Sequence, residues 1–89
     1  MTNHDIANIN ELIYIFTDSK TMKTIRRLIL RKNVYRLSIE YINDEMTHYF
    51  FDDLKTFELA KELCSIFFIP CKETKNHPVI TLFRNKSYA

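Results

Sequence analysis

The chain has no glycine in its 89 residues. Every motif whose backbone depends on glycine is therefore excluded: the Walker phosphate loop, the dinucleotide fingerprint and the nucleophile elbow. Turns that need positive φ must fall to Asn or Asp, which tolerate the left-handed region best among residues with a Cβ. Asn33, Asn43, Asp44 and Asn76 are the candidates. No apolar run approaches the ~18 residues of a membrane helix. The opening MTNHDIANINEL shows no basic region followed by an apolar core, so no secretory signal is expected. Only two cysteines occur, Cys64 and Cys71. They form no C-x-x-C pair, and with His77 they match no zinc finger or ribbon. Reduced thiols, no metal, no cofactor and a cytoplasmic location are the expectation. Catalysis would need a nucleophile with a base, or paired carboxylates in a pocket. His48 near Asp52 and Asp53, and Cys64, are the only starting points, and a non-enzymatic protein is expected.

What is present suits one globular domain: 46% hydrophobic and 27% charged residues. The domain is expected over residues 12–84, with a loose arm or one turn of helix at 1–11 and a frayed end at 85–89. The richness in Ile, Lys, Asn, Phe and Tyr suits an AT-rich genome, such as that of a low-GC bacterium, its phage or another virus.

Val34 to Phe51 reads as the heart of a sheet. Tyr35, Leu37, Ile39 and Tyr41 alternate with Arg36, Ser38 and Glu40, the period of a half-buried strand. Asn43-Asp44-Glu45 supplies a turn, and Met46 to Phe51 resumes the β pattern, so a hairpin is expected. Its second strand has two plausible inward sets, Tyr49/Phe51 or His48/Phe50. Leu12 to Thr17, LIYIFT, reads as a first strand. Met22, Ile25, Leu28 and Ile29 show helical spacing, capped by Asp18 or Ser19, with Asn33 as the left-handed terminus. Asp52 or Asp53 caps a second helix over roughly 54–68, stopped by Pro70. A short strand around 70–73 and a last strand at Pro78 to Arg84 follow. The order strand, helix, strand, strand, helix, strand predicts an α+β, ferredoxin-like βαββαβ domain. It would carry a four-stranded antiparallel sheet and two helices on one face. Ile13, Ile15, Leu37, Ile39, Ile80 and Leu82 would point under the helices, and Tyr14, Phe16, Phe50, Thr81 and Phe83 away from them.

Charge is unevenly spread. Lys20 to Arg36 holds seven bases and no acid, whereas Glu40 to Glu62 holds seven acids and two bases. On a helix, Lys20, Lys23, Arg27 and Arg31 would form one basic stripe facing phosphates or an acidic partner. Tyr14, Phe16 and Phe50 would form an aromatic face able to stack bases. Leu59 and Ile66 widen the apolar arc of the second helix beyond the stripe a sheet can cover, which points to self-association. HYFFDDLKTFELAKELC at 48–64, with LIYIF at 12–16, loosely resembles the third strand and following helix of an RNA recognition motif. It departs from the signature K/R-G-F/Y-G/A-F-V-x-F/Y: both glycines are missing, no basic residue opens the run, and Asp52-Asp53 follow it. No family is assigned on that basis. The expected function is a small accessory or inhibitor protein of the kind phages and mobile elements encode. It would bind a protein partner, and itself as a dimer, through the basic stripe and the spare apolar surface. The alternatives are a single-stranded nucleic-acid binder using the aromatic face plus the same bases, and a small-ligand regulatory domain.

Overall fold

The computed structural model describes residues 1–70 and 78–84. The chain opens with helix α1 (Asn3–Thr17), followed by a single turn, α2 (Ser19–Met22), and strand β1 (Ile25–Arg31). A 3₁₀ turn over Lys32–Val34 leads into β2 (Arg36–Tyr41) and β3 (Met46–Phe50). Helix α3 (Leu54–Phe67), a short β4 (Phe68–Pro70) and β5 (Val79–Arg84) complete the fold. The strands form one sheet in the order β3-β2-β1-β5-β4, with every pairing antiparallel. Helices α1 and α3 supply Leu12, Ile15, Phe16, Phe57, Ala60 and Cys64 to a core shared with Leu28, Leu30, Leu37, Ile39, Tyr49 and Leu82 of the sheet.

The ferredoxin-like expectation is overturned: the sheet has five strands, and the chain begins with a helix. Two segments exchanged identities. LIYIFT is the last part of α1, and the arm expected at 1–11 is its beginning. Thr2 caps it, its hydroxyl accepting the Asp5 N–H at 3.1 Å. Buried Asp5, Leu12, Ile15 and Phe16 then recur at helical spacing, while Ile13 and Tyr14 turn outward. The β preference of Ile, Tyr and Phe yields to this packing. Conversely, the stretch expected as a helix from Met22 is helical only to that residue, and Ile25–Arg31 is the central strand. Leu28 and Leu30 alternate inward with period two, and ladders to β2 and β5 satisfy the backbone on both sides.

The hairpin, α3 and the last strand stand as expected. Tyr49 and Phe51 are the inward set, leaving His48 and Phe50 outside. Asp53 is the residue that caps α3, its carboxylate accepting the Thr56 N–H at 2.8 Å. Asp44 does take positive φ, at 72°, but the other left-handed residue among those described is Tyr35, φ 50°, not Asn33. Tyr35 holds that conformation while its ring packs on Phe57 with centroids 6.3 Å apart. Cys71, His77 and Asn76 lie outside the described residues, as does most of the short strand expected at 70–73. No described helix is long and apolar enough to cross a membrane.

Candidate functional site

Because the helices cover one face of the sheet, strand alternation assigns the other face residue by residue. Its members are Met46, His48 and Phe50 on β3; Arg36, Ser38 and Glu40 on β2; Arg27, Ile29 and Arg31 on β1; Val79, Thr81 and Phe83 on β5; and Ile69 on β4. Phe50 is 51% exposed, Phe83 43% and Ile69 53%. Among the described residues no helix packs over them.

The two ends of this face differ electrostatically. At one end the ladder slips between Ile25 and Arg27, so that Arg26 occupies a β-bulge. A bulge re-aims a side chain, and here two consecutive arginines reach the same acid. The Glu40 carboxylate accepts from Arg27 at 3.0 Å and from Arg26 at 3.2 Å. Arg26 also donates to Asp44 at 2.7 Å and to the Ile42 carbonyl at 2.9 Å. Arg27, and then Arg26, hold the Glu40 carboxyl below the usual glutamate range. Charge at this end is close to balanced.

At the other end Arg31 stands directly opposite Arg36 across β1 and β2. Phe50 lies beyond Arg36 in the same row, and Val79 beyond Arg31. Neither arginine has an ion-pair partner among the described residues. The Nε of each is buried without a hydrogen-bond partner, as is that of Arg27. Directly opposed like charges destabilise a sheet. Guanidinium groups are best satisfied by a planar, bidentate anion such as phosphate or carboxylate. Between the two ends, the Ser38 hydroxyl and His48 Nδ1 lie 2.6 Å apart.

The residues singled out from sequence are redistributed. Lys20 lies on α2 and Lys23 just after it, while Arg27 and Arg31 lie on β1; the four form no helical stripe. Arg27 and Arg31 nonetheless share a face, because a spacing of four is even and so preserves the face on a strand as well. Alternation alone makes Arg36 an outward residue, and its pairing with Arg31 follows only from the β1–β2 register. The aromatic set also divides. Tyr14 is exposed on α1, Phe16 is buried against Phe68 with centroids 5.2 Å apart, and only Phe50 reaches the open sheet face. Phe83, expected to point away from the helices, does so. Leu59 and Ile66 are exposed on α3, where with Ile9, Ile13 and Leu63 they line a shallow apolar groove between the helices.

One further cluster gathers ligand-type atoms. His4, Asp5 and Asp52 place one such atom each within 4.8 Å of one another. Hydrogen bonds that seat α1 on the chain after β3 use most of these atoms, although Asp5 Oδ2 is buried without a partner. Asp5 accepts the Asp52 N–H at 3.1 Å, Thr2 donates to Asp52 at 2.6 Å, and His4 and Asn8 both bond the Phe50 carbonyl at 2.9 Å. Carboxylates are favoured at such a helix start by the backbone dipoles, which disfavour a cation there. No protein-family model matches the chain, and no curated protein or solved structure matches it significantly.

Proposed function

We propose that this chain is a non-catalytic nucleic-acid-binding protein that holds phosphates on its open sheet face. The observation that carries the reading is the Arg31–Arg36 pair: two guanidiniums opposed on neighbouring strands with no acid to neutralise them among the described residues. Phosphate oxygens on the two guanidiniums would relieve their mutual repulsion. The protein-partner reading rested on a basic helix, and those residues form a strand and a single turn instead. It keeps the spare apolar surface, since Leu59 and Ile66 lie in an exposed groove. Self-association through that groove is a separate proposal, and it would leave the sheet face open. Sedimentation of the wild type beside a Leu59→Ser/Ile66→Ser variant tests it.

Fluorescence anisotropy of labelled oligonucleotides across a salt series tests the nucleic-acid reading. Two neutralised phosphates give a log–log slope of about −1.4 on a single strand. The double variant Arg31→Gln/Arg36→Gln should lose that slope and most of the affinity. Absence of binding at low salt, or unchanged binding by the double variant, overturns the reading.

A further inference from the structure

We infer that the nucleic acid held on this face is a single strand whose bases stack on Phe50 and Phe83; the inference rests on the reading that phosphates bind here. Each ring sits beside an arginine in the strand register, Phe50 next to Arg36 and Phe83 next to Arg27. Both rings are about half exposed, on a face over which no described helix packs. A phosphate-only ligand has no use for them. A duplex hides the faces of its bases inside the stack, whereas an unpaired base offers its face to an aromatic ring.

The geometry gives the ligand a path. Phe50 and Phe83 are three strand spacings apart across the sheet, about 14 Å, and four residues apart along it, about 13 Å. The diagonal between them is therefore close to ~19 Å, a reach suited to about four nucleotides, the low end of single-strand site sizes. The midpoint of that diagonal falls between uncharged Ser38 and Ile29. The Arg31–Arg36 pair, without an acidic partner among the described residues, lies at the Phe50 end, so two adjacent phosphates would be gripped there with a base between them on Phe50. Arg27, already bound to Glu40, would add little charge at the Phe83 end, where stacking would dominate.

The test uses the intact chain and three labelled probes of equal length: an oligothymidine, a duplex, and an abasic strand with the same phosphates. The single strand should bind at least tenfold tighter than the other two. Phe50→Ala and Phe83→Ala should each weaken oligothymidine binding by about 5- to 150-fold. Both should leave abasic-strand binding unchanged. Phe50→Leu, which keeps apolar bulk but removes the ring, should behave like Phe50→Ala, with thermal melts confirming that each variant folds. Equal affinity for all three probes, or indifference to the phenylalanine variants, overturns the inference while leaving phosphate binding in place. Failure of all three probes to bind removes the reading beneath it as well.

Discussion

Arg31 and Arg36 face each other across the central strand pair, and no described acid lies between them. This arrangement sets stability against binding. Arg36→Glu would convert the opposed like charges into an opposite-charge pair. It should raise stability by ~0.2–1 kcal/mol in urea denaturation while lowering nucleic-acid affinity. A variant that loses stability and keeps its affinity would contradict both halves of the argument.

Glu40 works in the opposite sense at the bulged end. Arg27 and Arg26 hold its carboxyl below the ordinary range, so its folded value is lower than its unfolded one. The associated stabilisation is present above the ordinary glutamate value and fades as pH falls through the lowered one. Comparing wild type with Glu40→Gln by denaturation from pH 7 to pH 3 should show a gap that narrows with acidification. At neutral pH the same variant frees Arg27, while Asp44 still holds Arg26, so its oligonucleotide affinity and salt slope should increase.

Phe16 and Tyr14 lie two residues apart and test whether residues 12–17 form a helix. Phe16 is buried against Phe67 and Phe68, whereas Tyr14 is exposed. Phe16→Ala should cost ~3–5 kcal/mol, a large part of the ~5–15 kcal/mol that stabilises a typical domain. Tyr14→Ala should stay within ~0.5 kcal/mol. On a strand the two residues would share one face and respond alike, so comparable losses would refute the helix.

Asp53 caps α3 through the Thr56 N–H, and the hydrogen bonds from Thr56 hold its carboxyl below the usual aspartate range. Asp53→Ala should cost ~1 kcal/mol at neutral pH, and Asp53→Asn a smaller amount. Thermal melts of the two variants separate the hydrogen bond from the charge.

These elements show what was legible in the sequence. The β2–β3 hairpin was, because Leu37 and Ile39 alternate cleanly and Asn43-Asp44 marks the turn. So was α3, where a capping aspartate precedes a long apolar arc. The exchange between α1 and β1 was not legible. LIYIFT is composed of strand formers, yet its buried positions follow a helix that starts ten residues earlier at Thr2. The spacing of Ile25 and Leu28 looks helical because a bulge at Arg26 shifts a period-two strand by one residue, while Met22 belongs to the preceding turn and Ile29 to the opposite face of the sheet. The site was half visible. Arg27 and Arg31 were found for the wrong reason, since a spacing of four shares a face in either structure. Arg36 needed the strand register before it could join Arg31, whereas alternation alone already places Phe83 on the face of Phe50.

Cys64 has a consequence of another kind. It sits at zero exposure between α3 and the sheet, and burial pushes its thiol upward, so its nucleophilic thiolate is scarce at neutral pH. A disulfide reagent therefore reaches this sulfur only when α3 lifts from the sheet. The native thiol is thus an internal clock for opening of the helical layer. If α3 stays seated while the opposite face is occupied, the Cys64 clock will run at an equal or slower rate with the ligand bound.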